Sequence, residues 1–195
     1  MISLSFNPSL LGTYDVCIYD FDGTLVDSIP HKNKAFEKAT ARLLPMTDTV
    51  FRYIEGSVHL PRVDRLRGIL SLAGVVDSRM FFRLKEYLEQ EMVGIYDRAP
   101  ICWSLIEYIR KAEGQTAYII SAAPEVEVRN WIKKLNLEHL FSSVYGFPSS
   151  KSESLRETVK AYQEHGGSII YMGDTHYDRE LSEANNIDFM WSDYG

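Results

Sequence analysis

The stretch VCIYDFDGTLVDS, residues 16–28, places an apolar run directly before two aspartates and a glycine. The run from Val16 to Tyr19 is short and contains β-branched and aromatic residues, which is typical of a buried strand. Asp20 and Asp22 follow at once, and Gly23 permits the chain to turn sharply after them. The pattern therefore predicts a strand that delivers two carboxylates to its carboxyl end.

Similar apolar runs recur later in the chain and alternate with stretches of helical periodicity. This alternation is typical of a parallel sheet with crossover helices, so the predicted fold class is α/β with a three-layer, Rossmann-like core. The further predicted strands are Thr116 to Ile120, Ser143 to Phe147, Ser168 to Met172 and a weaker Ile187 to Trp191. The predicted helices of this core are Ile101 to Lys111, Pro124 to Leu135, Ser152 to Glu164 and Tyr177 to Asn185.

Almost a hundred residues separate the first two predicted strands, far more than one crossover helix needs. The pattern in this gap is helical, with turns at Pro45, Gly56 and Gly74, and it predicts a small inserted cap. The predicted domains are therefore an α/β core of residues 1–27 and 100–195 and a helical cap of residues 28–99. The predicted cap helices are Pro30 to Leu44, Asp48 to Ile54, Pro61 to Leu72 and Ser78 to Ile95.

Composition excludes several classes of protein. The 195 residues are 45% hydrophobic and carry a formal charge of −6, which suits one globular core with a modest insert. The apolar runs fall far short of the roughly 20 residues that cross a bilayer, so we expect no membrane span. Without a signal-peptide pattern we expect a cytoplasmic protein in which Cys17 and Cys102 are buried thiols rather than a disulfide. The acidic balance argues against nucleic acid as the main partner.

The charge is distributed unevenly between the two predicted domains. The cap has 12 Lys and Arg against 9 Asp and Glu, whereas the remainder has 9 basic and 18 acidic residues. A basic cap over an acidic core suggests that an anion is held between them, although a solvated helix surface explains such counts more often.

Polar residues follow the predicted strands at the edge of the sheet where ligands bind in open parallel sheets, beyond the carboxyl ends. Four carboxylates in one place would repel one another unless a cation neutralised them, and oxygen ligands without a Cys or His cluster select Mg²⁺. With a lysine and a hydroxyl alongside, the expected chemistry is phosphoryl transfer, in which one aspartate attacks and another moves protons. These residues are, in strand order, Asp20 and Asp22, Ser121, Lys151, and Asp174 with Asp178.

Four motifs in this order resemble the haloacid dehalogenase superfamily of phosphohydrolases, specifically the phosphoglycolate phosphatase and β-phosphoglucomutase type. The resemblance covers nearly the whole chain and implies a Mg²⁺-dependent phosphatase that acts on a small phosphorylated metabolite beneath a closing cap. The motifs are VCIYDFDGTLVDS at 16–28, IISAAPE at 119–125, the lysine in GFPSSKSE at 146–153, and YMGDTHYD at 171–178.

The resemblance also implies catalytic and metal-binding roles. Asp20 would be the nucleophile that forms an aspartyl-phosphate, and Asp22 would protonate the leaving oxygen and then activate water. Mg²⁺ would be held by the Asp20 carboxylate, the Asp22 backbone carbonyl and Asp174. Asp178 would support the metal site directly or through water.

Further residues are implied in binding the phosphate ester. Within the core these are Gly23, Thr24, Ser121, Ala122 and Lys151. In the cap, GSVHLPRVDRLRGIL at 56–70 resembles the substrate-facing loop and helix of the β-phosphoglucomutase type, and Arg62 is its candidate for contacting substrate. A solvated helix face is the favoured alternative for Arg62 and its neighbours Arg65 and Arg67.

Simpler interpretations stand beside these roles. Asp174 and Asp178 could cap a helix, Ser121 could cap the helix that follows it, and Lys151 could be a surface lysine in a loop. We interpret His176 as an exposed loop residue rather than as a catalytic base.

Two other functions stay open on the sequence alone. A phosphohexomutase would use Asp22 to return the phosphoryl group to a reoriented sugar, and a catalytically idle phosphate-binding protein would keep the residues without turnover. A phosphoacceptor of the response-regulator kind is disfavoured, because here the Asp-x-Asp pair precedes a long cap. Members of the resembled family usually continue into a closing helix after the fifth apolar run, whereas here Gly195 follows that run closely. We therefore expect an exposed apolar face of the core that a partner subunit would cover in a homo-oligomer.

Overall fold

The computed structural model describes residues 3–4, 8–163 and 166–192. Contacts divide the chain into two compact units, Met1–Asp27 with Pro100–Gly195 and Ser28–Ala99. These bounds are the ones that the sequence predicts for the α/β core and for the inserted cap. In the parts of the chain that the structure describes, no helix is both long and apolar enough to span a bilayer.

The core unit is built on a parallel sheet, which confirms the α/β class. Its described strands are β1 (Ser3–Leu4), β2 (Val16–Tyr19), β3 (Thr116–Pro124), β4 (Ser143–Phe147), β5 (Ile169–Gly173) and β6 (Asp188–Trp191). They lie side by side in the order β1-β6-β5-β2-β3-β4, and every neighbouring pair is parallel. All five predicted strands are present, and the two-residue β1 is an addition.

The helices follow the predicted alternation. Those described are α1 (Pro8–Leu11), α2 (Ile29–Ala41), α3 (Asp48–Gly56), α4 (Arg62–Leu72), α5 (Ser78–Met92), α6 (Ile95–Arg98), α7 (Trp103–Lys111), α8 (Glu125–Lys134), α9 (Lys151–Gln163) and α10 (His176–Ala184), with a short 3₁₀ turn at Glu138–Leu140. Helices α2 to α6 form the cap unit and the others belong to the core unit.

Three predicted boundaries were wrong in ways that have a physical cause. The long cap helix predicted to reach Ile95 ends at Met92, because Gly94 adopts a left-handed backbone (φ 66°) that no helix continues. Strand β3 runs on to Pro124, where it pairs with Phe147 of β4. Lys151 begins α9 rather than lying in a loop, since the Ser150 hydroxyl accepts the Glu153 N–H as a helix cap does.

The centre of the sheet is β2, which explains its uninterrupted apolar sequence. All four residues of β2 are buried, because β5 and β3 flank it and helices cover both faces. On one face Ile18 packs in a cluster with Leu155 of α9 and Leu181 of α10. The alternating side chain of Tyr19 lies near Tyr108 of α7 on the opposite face. The core therefore has the predicted three layers.

The cap unit has an apolar core of its own, and Arg65 is part of it. Its guanidinium carbon lies 4.0 Å from the ring centroid of Phe36, and it donates to the Ser57 hydroxyl (3.2 Å) and to the Asn33 side-chain oxygen (2.8 Å). Arg65 is thus buried as a structural cation, so the interpretation of a solvated helix face was wrong for this residue. The buried apolar residues of this core include Phe36, Ile54, Leu66, Ile69, Leu84 and Leu88.

The two cysteines are free thiols, as predicted. Cys17 is buried in β2, but Cys102 is only partly buried, because it directly precedes α7 at the surface of the core unit. The prediction of two buried thiols was therefore right for Cys17 and wrong for Cys102.

Candidate active site

Three carboxylates meet at the carboxyl edge of the sheet. Each of Asp20, Asp174 and Asp178 places one oxygen within 4.8 Å of the others, and within the described residues these three form the group suited to a cation. The register explains their proximity, since Tyr19 of β2 pairs with Met172 of β5, so that both strands end at the same level. The parallel topology thus unites residues that are more than 150 positions apart.

Asp20 is held at the end of β2 by two different kinds of donor. Its Oδ1 accepts the N–H of Phe21 (2.7 Å), and its Oδ2 lies 2.8 Å from the Lys151 ammonium nitrogen. Burial raises the pKa of Asp20 to about 6, against the lowering effect of Lys151 and with a further raising effect of the Asp178 charge. Lys151 therefore offsets only part of the cost of burying this carboxylate.

Lys151 is buried at the first position of α9 and bridges two of the carboxylates. Its Nζ lies 2.8 Å from Asp20 Oδ2 and 2.6 Å from Asp178 Oδ1. Burial alone lowers the pKa of a lysine, but the Asp178 and Asp20 carboxylates outweigh it and hold the pKa of Lys151 well above its ordinary value. Lys151 is thus a fixed positive charge inside the site, and the surface-lysine interpretation was wrong.

Asp178 has both carboxylate oxygens occupied. Its Oδ2 accepts the backbone N–H (3.1 Å) and the hydroxyl (2.7 Å) of Thr175, which completes a capping box at the start of α10. Its Oδ1 accepts Lys151 (2.6 Å) and the hydroxyl of Tyr171 (3.2 Å). The helix-cap interpretation therefore applies to Asp178, and the cap fixes a carboxylate that in turn holds Lys151, whereas its support of a metal stays a prediction.

Asp174 differs from Asp20 and Asp178 in having a buried carboxylate oxygen without a hydrogen-bond partner among the described residues. Its Oδ1 is buried and makes no hydrogen bond to any residue that the structure describes. Burial, reinforced by the charges of Asp20 and Asp178, raises the pKa of Asp174 to about 8. A buried carboxylate oxygen facing two further carboxylates is the environment that a hard cation neutralises, so these residues fit Mg²⁺.

Gly23 is required next to Asp174. Its backbone is left-handed (φ 76°), and a Cβ at this position would overlap the carboxylate of Asp174. The turn that follows Asp22 therefore approaches Asp174 so closely that no side chain fits between them.

Asp22 is placed differently from the three clustered carboxylates. Its side chain is half-buried and is not one of the three that lie within 4.8 Å of one another. Its charge nonetheless contributes to the raised pKa of Asp20. The expectation that Asp22 offers the metal a backbone carbonyl and keeps its carboxylate for proton transfer is compatible with this position.

Ser121 is buried near the end of β3, beside the central strand. Its hydroxyl oxygen accepts the N–H of Ala123 (3.2 Å), whereas α8 begins only at Glu125. The interpretation of Ser121 as the cap of that helix was therefore wrong. Ala122, between them, is half-buried.

Sequence reasoning missed Ser192, which follows β6. Its hydroxyl donates to the Gly23 carbonyl (2.8 Å) and lies 3.1 Å from the Thr24 hydroxyl oxygen, while its N–H donates to the Gly173 carbonyl (2.9 Å). Ser192 thus ties the turn after β2 to the end of β5, directly before Asp174. The rule that singled out Ser121, a polar residue beyond a strand's carboxyl end, also applies to this serine.

Arg62 and His176 are the two remaining residues that the sequence analysis discussed. Arg62 is the first residue of α4 in the cap unit and is half-buried, and its contact with substrate stays a prediction. His176 is exposed, as predicted, but begins α10 rather than lying in a loop, and its ring centroid is 5.3 Å from that of Trp191.

Comparison with known protein families finds one whose model covers most of this chain. A sequence model of the haloacid dehalogenase-like hydrolases matches residues 17–192. No curated protein sequence gives a significant match.

Several solved structures share the fold at low sequence identity. A haloacid dehalogenase-like hydrolase from Streptococcus pneumoniae is 20% identical, with a TM-score of 0.67 over 93% of this chain and 95% of that one. A protein from Haemophilus somnus, named as a predicted phosphoglycolate phosphatase, is 15% identical, with a TM-score of 0.73 over 91% and 84% of the two chains. A protein from Thermotoga maritima, named for β-phosphoglucomutase, is 17% identical, with a TM-score of 0.62 over 90% and 83%. Since the family model spans nearly the whole chain and the carboxylates converge as its motifs predict, the chain belongs to the haloacid dehalogenase-like hydrolases.

Proposed function

We propose that the protein is a Mg²⁺-dependent phosphatase that hydrolyses a small phosphorylated metabolite through an aspartyl-phosphate. The observation that carries this proposal is the clustering of Asp20, Asp174 and Asp178, with Lys151 between Asp20 and Asp178. Among the residues that the structure describes, the Lys151 ammonium is the cation paired with these three carboxylates, of which Asp20 and Asp178 are buried and Asp174 is partly buried, so the group is short of positive charge. A divalent metal and the donors around it supply that charge where a phosphoryl group would lie.

Asp20 is the proposed nucleophile. In the first step an Asp20 carboxylate oxygen forms a bond to phosphorus while the bond from phosphorus to the ester oxygen breaks. Lys151 stabilises the ionised form of Asp20 before the attack, and its ammonium lies where it can compensate charge on the phosphoryl oxygens during it. The buried Ser121 hydroxyl and the backbone amides beside it are the proposed additional donors.

Asp22 is the proposed proton carrier. It gives a proton to the departing ester oxygen in the first step. In the second step its carboxylate takes a proton from water, the water oxygen bonds to phosphorus, and the bond between phosphorus and Asp20 breaks. Inorganic phosphate and the free alcohol are the products, and both aspartates return to their starting states.

Mg²⁺ would be held by the carboxylates of Asp20 and Asp174 and by the backbone carbonyl of Asp22. When bound, it supplies positive charge that lowers the repulsion between the carboxylates and the phosphate ester. Asp178 contributes by fixing Lys151, since both of its oxygens already accept hydrogen bonds from the protein.

Hydrolysis of p-nitrophenyl phosphate with Mg²⁺ tests the proposal, using Asp20→Asn and the matched control Asp15→Asn. The two aspartates flank the same strand, β2, but Asp15 lies at its opposite end. We expect Asp20→Asn to lower kcat by at least about 10³-fold, because an amide does not replace the carboxylate nucleophile, and Asp15→Asn to keep the wild-type rate. Wild-type turnover in Asp20→Asn would contradict the assignment of the nucleophile.

A panel of phosphate esters separates the alternative functions. Free phosphate released from sugar 1-phosphates supports a phosphatase, whereas an isomerised phosphosugar without net release indicates a mutase. No turnover of any ester in the presence of Mg²⁺ would contradict the enzyme and favour an idle phosphate-binding protein.

A further inference from the structure

A buried tyrosine, Tyr171, contacts Asp178 through its hydroxyl and lies close to the Lys151 ammonium. Tyr171, on β5, is fully buried. Its hydroxyl oxygen is 3.2 Å from Asp178 Oδ1 and 3.2 Å from the backbone carbonyl oxygen of Ile120. The ammonium nitrogen of Lys151 lies 5.7 Å from the centroid of the same ring.

The phenol ring reaches across the central strand. β5 and β3 lie on opposite sides of β2, yet the Tyr171 hydroxyl on β5 contacts the Ile120 carbonyl on β3. Ile120 directly precedes Ser121, and Asp178 stands at the start of α10. The Tyr171 side chain therefore contacts β3 and α10 and lies near Lys151 of α9, and each of these three elements carries a proposed site residue.

Packing alone does not require the hydroxyl. A phenylalanine at this position would fill the same apolar cluster with Ile18 and Leu155 without burying a polar group that must be satisfied. The single O–H of the phenol has two acceptors within reach, the Asp178 carboxylate and the backbone carbonyl of Ile120, which directly precedes Ser121. Its placement thus depends on the site rather than on the core.

We propose that Tyr171 is a positioning residue that keeps the Lys151 ammonium beside Asp20. A lysine head group is a point charge on a flexible stem, so its position is set by the acceptors around it. Asp178 Oδ1 receives both Tyr171 and Lys151, and sharing that oxygen weakens its hold on the ammonium. Without the hydroxyl, Asp178 draws Lys151 away from Asp20 and from the proposed phosphoryl position. This role rests on the proposed phosphatase activity.

Tyr171→Phe tests the role, with Tyr118→Phe as the matched control. Tyr118 lies on β3, and its hydroxyl is 2.7 Å from that of Tyr162 on α9, so the control also loses a tyrosine hydrogen bond between the sheet and a helix. We expect Tyr171→Phe to lower kcat/KM for p-nitrophenyl phosphate about tenfold, as suits a lost hydrogen bond to a charged group, while Tyr118→Phe stays near the wild-type value. An unchanged kcat/KM in Tyr171→Phe would overturn the proposal, as would an equal loss in both variants.

A double-mutant cycle with Lys151→Gln shows whether Tyr171 acts through the lysine. In that background the loss of the Tyr171 hydroxyl should have little further effect on kcat/KM, whereas an undiminished tenfold loss would overturn the role. Lys151→Arg gives a second background if Lys151→Gln does not fold, and there too the effect of the hydroxyl should shrink.

Urea unfolding gives a readout that needs no turnover. It is measured on the wild type, Tyr171→Phe, Lys151→Gln and the double variant. If the two substitutions have non-additive effects on the free energy of unfolding, Tyr171 and Lys151 interact as proposed. Additive effects would overturn the proposal that Tyr171 positions Lys151. If the wild-type protein hydrolyses no ester, the proposed phosphatase fails, while the coupling still decides whether Tyr171 and Lys151 act together.

Discussion

Asp15 and Asp20 flank the same central strand, but their surroundings differ. Asp15 is exposed, and its Oδ2 accepts the backbone N–H and the hydroxyl of Ser168, both at 2.8 Å; these bonds hold the pKa of Asp15 below its ordinary value. Asp20 is buried among other carboxylates, and its pKa is raised to about 6. The ionised carboxylate at the amino end of β2 thus stabilises the folded state, whereas the ionised carboxylate at the carboxyl end destabilises it.

Such a difference separates structural from functional carboxylates within one strand. At the amino end, donors are matched to acceptors, and nothing further is needed. At the carboxyl end, Lys151 pairs with two of the three clustered carboxylates, and an oxygen of the third, Asp174, has no protein donor among the described residues. Repulsion between carboxylates that lack positive charge lowers the stability of the folded protein. Binding of a cation at the site would restore that stability.

The largest expected effect is that of Asp174→Asn on catalysis. Removing one carboxylate from the proposed Mg²⁺ ligands should lower kcat for p-nitrophenyl phosphate by about 10³-fold or more. Steady-state kinetics at several Mg²⁺ concentrations measure this loss, with Asp15→Asn as the control. Full activity in Asp174→Asn would remove the distinction between the two ends of the strand.

Gly23→Ala should damage the carboxyl end next most. The left-handed backbone costs an alanine about 1 kcal/mol, and overlap with Asp174 adds to it, so we expect a total loss of about 2 to 4 kcal/mol in the free energy of unfolding. Urea denaturation measures this loss. Gly114→Ala is the matched control, because its φ is also positive (77°) but its Cβ would meet open space. Equal losses in the two variants would show that the approach to Asp174 is not the cause.

The pH dependence of stability should reveal the uncompensated charge. Asp174 has a pKa of about 8 in the folded protein, against an ordinary value of 3.8. Between pH 3.8 and pH 8 the folded state therefore keeps a proton on Asp174 that the unfolded state has released. Stability of the Mg²⁺-free protein should therefore fall as pH rises, by about 2 kcal/mol between pH 6 and pH 8 from Asp174 alone.

Chemical denaturation in the presence of a chelator at both pH values measures this slope. Asp174→Asn should flatten it, because an amide does not titrate. A Mg²⁺-free wild-type protein that gains stability from pH 6 to pH 8 would contradict the account.

The smallest expected effect belongs to the amino end. Asp15→Asn weakens hydrogen bonds to Ser168 that are exposed to water, which competes for the same groups, so the urea midpoint should move only slightly. A loss as large as that of Gly23→Ala would mean that the two ends of β2 are not as different as their burial implies.

Much of the fold was predictable because its signals are local. The apolar run from Val16 to Tyr19 and the later runs identify strands by composition, and the rule for parallel sheets then places Asp20, Ser121 and Asp174 at one edge. The two-residue β1 offers no periodicity to detect. Its place beside β6 depends on pairing between distant parts of the chain.

The contacts within the site were less predictable than its residues. That Tyr171 reaches the Ile120 carbonyl depends on packing across three strands, and that Ser192 meets Gly23 depends on where β6 ends. The burial of Lys151 follows from the start of α9 at that residue, one position earlier than the pattern predicts. Sequence patterns identify which groups gather, whereas their hydrogen bonds follow from three-dimensional packing.

Calorimetric titration of Mg²⁺ into the protein at pH 8 tests the central claim most directly, that the carboxylates at the carboxyl end of β2 form a cation site. The account predicts saturable binding at one site in the wild-type protein and in Asp15→Asn, and no binding in Asp174→Asn. Equal binding in all three proteins, or none in the wild type, would contradict it.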